Sequence, residues 1–174
     1  MTKKLRFGAA GIAMFAAFGM SSAASAQDNA DADATVEVLE ALTLTNNTAL
    51  DFGTIVVDNA GTVTIAASST ATAVCTGDVI CSGTSSAASF SVTGSDGEVV
   101  EVNLPATSGT LLRTGGTVGV AADEIDLDNF TASAPTVTLT GGSADFEVGG
   151  ELALDGSEVE GVYSTTFNVS VNYQ

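Results

Sequence analysis

The chain has 174 residues, with 21 acidic side chains, four basic side chains and no histidine, so its formal net charge is −17. This acidic excess disfavours nucleic acids and anionic membranes as partners, because both are bound through lysine and arginine. The absence of histidine removes the commonest general base and metal ligand, and we therefore expect no enzyme. Paired carboxylates that hydrolyse a glycoside are a distant alternative, since nothing singles out two of the scattered acids.

The first 26 residues have the pattern of a cleaved secretory signal peptide. Three basic side chains within the first six residues precede an apolar run over residues 7–20, and a small-residue site, Ala-Ser-Ala, ends at Ala26. The apolar run is shorter than the ~20 residues that a membrane-spanning helix needs, which favours cleavage over anchoring. We expect an exported protein, located in the periplasm, at the cell surface or outside the cell.

Residues 27–174 are the predicted mature protein. One basic residue, Arg113, and 21 acidic residues give it a formal charge of −20. Its length is typical of one domain and no linker divides it, so we predict a single domain. Cys75 and Cys81 are the only two cysteines, and in an exported chain we expect a disulfide bond between them that closes a short loop.

Alternating polar and apolar residues predict β-strands along most of the mature chain and almost no helix. Turn residues at 58–61, 95–97 and 141–143 predict three hairpins. The stretch 108–133 alternates less clearly and is predicted to be the longest irregular segment. The predicted strands are residues 35–45, 52–57, 61–67, 88–94, 99–104, 136–140, 144–154 and 163–173.

Strands joined by short connections are usually antiparallel neighbours. About seven to nine of them in one domain favour a single immunoglobulin-like antiparallel β-sandwich, with a closed barrel as the second choice. The regular supply of valine, leucine, isoleucine and phenylalanine indicates a packed core rather than a disordered acidic chain. We therefore predict an all-β fold after the cleaved signal peptide.

An acidic run near residue 126 is the one candidate for a metal site. Asp123, Asp126 and Asp128 fall within a predicted loop, where carboxylates could surround calcium at extracellular concentrations. The run lacks the glycine and the final glutamate of an EF-hand loop, so a solvated acidic loop is the competing interpretation. Apart from calcium, no cofactor is expected.

Both ends of the mature chain alternate in the way that pairing strands do. The N-terminal stretch places Val36 and Val38 on one face, and such a segment can complete its own sheet or add a strand to another subunit. The last predicted strand should direct one face into the core and present its backbone to a neighbour. That face carries Phe167, Val169, Val171 and Tyr173.

Five sequence blocks occur in a fixed order: LDFGTIV at 50–56, ASFSVTG at 88–94, VNLP at 102–105, FEVGGELAL at 146–154 and GVYSTTFNVSVNY at 161–173. Together they resemble the bacterial secreted family known as domain of unknown function 4402, over nearly the whole mature chain. The resemblance implies an exported immunoglobulin-like sandwich with no established activity. The loop between Cys75 and Cys81 is a local addition to the family pattern.

The closing strand is also similar to the C-terminus of chaperone–usher pilus subunits. Tyr173 is the penultimate residue, and Gly161 is the fourteenth residue from the end. In that family an assembly chaperone pairs with this strand, and an N-terminal extension of one subunit completes the next. The short loop between the cysteines departs from the family, because many pilus subunits bridge distant parts of the chain. A last core strand entered through a turn is the alternative interpretation.

We therefore expect a non-catalytic structural or adhesive surface protein, similar to a fimbrial or pilus subunit and assembled by β-strand complementation. Its expected partners are another copy, another β-sandwich subunit or an assembly chaperone, with no nucleic acid and no membrane insertion after signal cleavage. A monomeric extracellular or periplasmic binding module, for calcium or a glycan, is the alternative. The candidate assembly residues are Val36, Val38, Gly161, Phe167, Val169, Val171 and Tyr173.

Overall fold

The computed structural model describes residues 28–174, so the predicted signal peptide at 1–26 lies outside the described residues. Glu37–Gln174 form one compact unit. In the described part of the chain, no helix has the length and apolarity needed to cross a membrane. The strands are β1 (Thr43–Thr48), β2 (Thr54–Ile65), β3 (Val74–Ser82), β4 (Ala88–Thr93), β5 (Val99–Asn103), β6 (Gly109–Arg113), β7 (Glu124–Ala132), β8 (Thr136–Thr138), β9 (Ser143–Leu154), β10 (Tyr163–Ser164) and β11 (Ser170–Tyr173).

These strands form two antiparallel sheets in an all-β sandwich, as the alternation predicts. The large sheet has the order β1-β4-β9-β7-β6-β10, and β2 joins it beside β9 with β3 on its outer edge. The small sheet has the order β11-β5-β8. Val100 of the small sheet and Phe146 of the large sheet belong to one buried cluster, which holds the two sheets together.

A second buried cluster lies within the large sheet itself. Its members include Val63 of β2, Val79 of β3, Ile125 of β7 and Leu152 of β9. The strands that supply these residues, β3, β2, β9 and β7, are successive neighbours, so their side chains on one face of the curled sheet meet. Phe52 and Ala87, from outside the strands, complete the cluster. The fold is therefore a sandwich at one end and a curled sheet at the other.

Strand β9 is the centre of the large sheet. Its first half pairs with β4, its second half pairs with β2, and β7 runs along its opposite edge. At Gly149, between the two halves, a Cβ atom would overlap the carbonyl oxygen of Ile65 at the end of β2. The close approach of β2 to β9 therefore requires glycine at this position.

Two of the three predicted hairpins do not join neighbouring strands of one sheet, because each connection crosses between the sheets. At 141–143 the chain does reverse in a tight turn, which an antiparallel bridge between Thr140 and Ser143 closes. Residues 95–97 lead from β4 in the large sheet to β5 in the small sheet, and residues 141–143 lead from β8 back to β9. The crossings lie side by side, since Gly94 N–H donates to the carbonyl oxygen of Gly142 at 3.0 Å. Glycine and aspartate mark where the chain turns, whereas packing of the next strand decides which sheet it joins.

The third predicted hairpin, at residues 58–61, is wrong because these residues lie inside the single strand β2. This strand pairs with β3 on both sides of a bulge, where the register jumps between Val57 and Gly61. The bulge bends the two-stranded ribbon that β2 and β3 form. Cys75 and Cys81 of β3 lie with their Cα atoms 5.7 Å apart and form a disulfide bond. The predicted disulfide is confirmed, but it joins two points of one bent strand.

The segment 108–133 was expected to be irregular, and this expectation is wrong because the segment contains β6 and β7. Along β7, Ile125 and Leu127 are buried while Asp126 between them is exposed, which is regular strand alternation. The polar half of this alternation consists of carboxylates, so the sequence has the composition of a cation-binding loop. The structure places the acidic run mainly in a strand.

Candidate strand-pairing site at the chain ends

We define the N-terminal arm as residues 28–41. Every side chain in it is exposed and none of it is strand, so the strand expected from residue 35 begins only at Thr43. Val36 is 86% exposed and Val38 is 85% exposed. The alternating apolar face of the arm is thus uncovered in this structure. Burial of such a face against a partner would lower the free energy of the system.

Tyr173 fastens the base of the arm to the sandwich. Its hydroxyl donates to the carbonyl oxygen of Glu40 at 2.7 Å and accepts from the Ser95 N–H at 2.8 Å. The Glu40 N–H in turn donates to Ser95 Oγ at 2.7 Å. Gly94 leaves room for this arrangement, because a Cβ there would overlap the Tyr173 hydroxyl. The penultimate tyrosine therefore has a clear structural role at the point where the arm leaves the fold.

The last predicted strand is divided between the two sheets. β10 pairs with β6 in the large sheet, and β11 pairs with β5 in the small sheet. Residues 165–169 between them have no strand partner, and no backbone–backbone hydrogen bond of the described chain involves them. The side chains that the alternation assigns to the core are half-buried against it: Phe167, Val169, Val171 and Tyr173.

A groove of about 390 Å³ lies beside this unpaired segment. Phe130 and Phe167, both half-buried, line it with ring centroids 5.0 Å apart. Asn103 also lines the groove, and its side-chain Nδ2 is buried with no hydrogen-bond partner. None of the residues that line the groove is charged, although the chain carries 21 acidic side chains. Unpaired extended backbone beside such a groove can accept an additional strand.

Gly161 lies against the side chain of Arg113, outside any strand. A Cβ at Gly161 would come within 2.8 Å of Arg113 Cγ and Cδ. Arg113 forms an ion pair with Asp123, whose Oδ1 is 2.6 Å from Nη2 and accepts from Nε at 2.7 Å. The N–H of Thr117 donates to Asp123 Oδ2 at 2.8 Å. The hydrogen bond from Thr117 is the largest cause that lowers the pKa of Asp123 from its ordinary value, and the hydrogen bond from Arg113 is the next largest.

Stability should fall in acid as Asp123 becomes protonated. The pKa of Asp123 in the folded protein is lowered from the ordinary value of 3.8. The contribution of its carboxylate to the free energy of unfolding is therefore complete above that value and is lost as the pH falls through the folded-state pKa. We expect the difference in urea midpoint between the wild type and Asp123→Asn to be constant above about pH 5 and to shrink below about pH 4.

The control for this measurement is Asp126→Asn, which removes an exposed carboxylate from the adjacent strand β7. Both variants remove one negative charge, so comparing them separates the loss of the Arg113–Asp123 pair from the general effect of a lower net charge. A difference between the wild type and Asp123→Asn that stays constant through the acid range would contradict the role assigned to the Arg113–Asp123 pair. So would an equal pH dependence for the Asp126→Asn variant.

The three carboxylates considered for calcium are not brought together. Asp123 is bonded to Arg113, Asp126 is exposed on β7, and Asp128 stands opposite Glu151 in the β7–β9 ladder. Among residues 28–174, no group of three or more aspartate, glutamate or cysteine side chains is placed to hold an ion. This part of the chain thus offers no assembled set of calcium ligands.

The family model described as domain of unknown function (DUF4402) matches residues 42–173. The chain belongs to this family. The DUF4402 match begins directly after the arm and includes all eleven strands, so the whole arm precedes the family domain. No curated protein and no solved structure matches the chain.

Proposed function

We propose that this DUF4402 protein is an exported, non-catalytic structural or adhesive surface protein, similar to a fimbrial subunit, whose copies are joined by β-strand pairing at the chain ends. The observation that carries the proposal is the unpaired extended segment 165–169, which lies beside an uncharged groove. The exposed alternating arm supplies a segment of the kind that such an edge accepts. The partner is a β-strand from a neighbouring subunit or from an assembly chaperone.

Unpaired backbone is the physical basis of this proposal. Extended segments with free N–H and C=O groups pair readily with other strands, and proteins that remain monomeric usually cover, twist or charge such edges. At 165–169 the side chains on the inner face are anchored, since Phe167 and Val169 pack on the core. The segment is therefore held extended while its backbone remains open to a partner.

The solution mass of the exported protein tests the proposal. We expect multimers in light scattering over a range of concentrations, because the arm and the open edge lie on the same chain and can link copies in series. Deleting residues 27–38 should convert the multimers to monomers. This deletion keeps Glu40 and its hydrogen bonds to Ser95 and Tyr173.

A matched control replaces Val36 and Val38 with serine and keeps the full length of the arm. It should weaken multimer formation, since the apolar face of the arm is lost while its backbone remains. A stable monomer at every concentration, unchanged by the deletion, would contradict the proposal and favour a self-contained binding module.

A further inference from the structure

We infer that the groove beside residues 165–169 binds a neutral carbohydrate through the side chains that line it. A single copy of the chain contains every residue of the groove, so this binding is a function beyond strand-linked assembly and does not depend on it. The groove has a volume of about 390 Å³, which lies in the range of about 300 to 1,000 Å³ that is usual for small-molecule sites. Strand pairing would use the backbone of 165–169, whereas a carbohydrate would contact the side chains.

Two aromatic side chains supply most of the apolar surface of the groove. Phe130 of β7 and Phe167 of the unpaired segment both line it, with ring centroids 5.0 Å apart and ring planes tilted by 38°. The face of an aromatic ring carries partial negative charge. The C–H groups on the face of a sugar ring are weakly positive, so sugar and aromatic surfaces attract each other. The adjacent phenylalanines therefore offer a contact surface for a sugar ring.

Uncharged hydrogen-bonding groups supply the polar part of the groove. A hydroxyl group both donates and accepts, and an amide side chain does the same with its two ends. Sugar hydroxyls also donate and accept, so they can bond to such a lining in several orientations. All the polar side chains concerned are exposed and can exchange a bond to water for one to a ligand. They are Thr107, Ser108, Thr166, Asn168 and Ser170.

The charge of the chain selects a neutral carbohydrate over other ligands. The mature chain has 21 acidic side chains, and its one basic side chain, Arg113, is paired with Asp123. An anionic sugar would be repelled by the chain as a whole and would find no cation in the groove. An apolar ligand such as a lipid tail would cover the hydroxyl groups without replacing their hydrogen bonds to water. A neutral carbohydrate avoids both costs.

Nuclear magnetic resonance of the isotope-labelled mature protein tests the inference. The labelled protein carries Val36→Ser and Val38→Ser, so that assembly does not compete for the groove. It is titrated with neutral oligosaccharides of glucose, galactose, mannose and N-acetylglucosamine. At least one of them should shift the amide signals of residues 103–109, Phe130 and 166–170 in a saturable manner. Oligosaccharides of galacturonic acid, which are anionic, should leave these signals unchanged.

Substitution of two exposed residues of the groove lining provides the second measurement. Asn168→Ala and Thr166→Ala should each weaken the binding found in the titration by about three- to tenfold, the effect of losing one hydrogen bond. Asn172→Ala and Thr165→Ala are the matched controls, because these residues are exposed in the same C-terminal segment and do not line the groove. The controls should leave the Kd unchanged. Surface substitutions of this kind should leave the fold intact.

Three results would overturn the carbohydrate site: no shift with any neutral oligosaccharide, shifts confined to another surface, or equal losses for the groove variants and their controls. Light scattering of the wild type decides strand-linked assembly separately. Multimers without carbohydrate binding would overturn the site and leave the proposed function standing. Carbohydrate binding at the groove by a wild-type protein that stays monomeric at every concentration would support the site and contradict strand-linked assembly.

Discussion

Gly149→Ala should destabilise the sandwich by at least about 3 kcal/mol or prevent folding altogether. A Cβ at this position would overlap the carbonyl oxygen of Ile65 and lie 2.7 Å from backbone atoms of Ala66 and Ala67. Backbone atoms cannot rotate away as a side chain can. Relief would require the end of β2 to move off β9, which breaks the ladder from Gly61 to Ile65. Urea unfolding of the variant measures the loss.

The neighbouring Gly150 provides a matched control. It is buried in the same strand, but a Cβ there would meet side-chain methyl groups, with Leu127 Cδ1 at 3.1 Å and Leu50 Cδ2 at 3.4 Å. These methyl groups can shift, and alanine also lowers the entropy of the unfolded chain by an equivalent of about 0.4 to 1 kcal/mol. Gly150→Ala should therefore cost less than about 1 kcal/mol. Equal losses for the two variants would contradict the close approach of β2 to β9.

Removal of the disulfide is expected to cost roughly 2 to 3 kcal/mol, because cysteines six positions apart close only a short loop in the unfolded chain. In the double variant Cys75→Ser, Cys81→Ser, the largest local loss of stability should be at the bend of β3. There Val79 packs into the core with 6% of its surface exposed. Urea unfolding gives the total loss. Hydrogen exchange should show weakened protection in β3 and little change in β9.

A reducing agent serves as the control for the disulfide variant. It should lower the stability of the wild type by a similar amount and leave the double variant unchanged. The Cys75–Cys81 bond connects positions within the outermost strand of the ribbon, so its influence should decline toward the centre of the sheet. Equal losses of protection in β3 and β9 would instead indicate that the bond stabilises the whole large sheet.

The all-β class, the sandwich and several strand cores could be predicted because alternation with a period of two is a local property of sequence. β9 and β4 are examples, and their predicted bounds differ from the observed ones by one residue. The connections could not be predicted in the same way. Turn residues show that the chain reverses, but the choice of sheet depends on which apolar faces pack together, as at residues 95–97.

The candidate site could be predicted only in part. Alternation correctly assigned the inner face of the final segment, including Phe167 and Tyr173. It did not predict that residues 165–169 would lie between the sheets without a partner, because pairing is a property of two strands and alternation belongs to one. The buried Asn103 Nδ2, which has no hydrogen-bond partner, could not be predicted for the same reason. Its sequence context, the end of a strand just before Leu104 and Pro105, does not record which atoms remain unpaired.

The position of β9 in the chain has a consequence for how the domain acquires its structure. A chain that leaves the ribosome or a translocation channel from its N-terminus presents β2 and β4 long before Ser143, where β9 begins. Neither strand can complete its ladder until then, and contacts between such distant residues slow folding. Folding of the large sheet is therefore a late event, reached only when most of the chain has emerged.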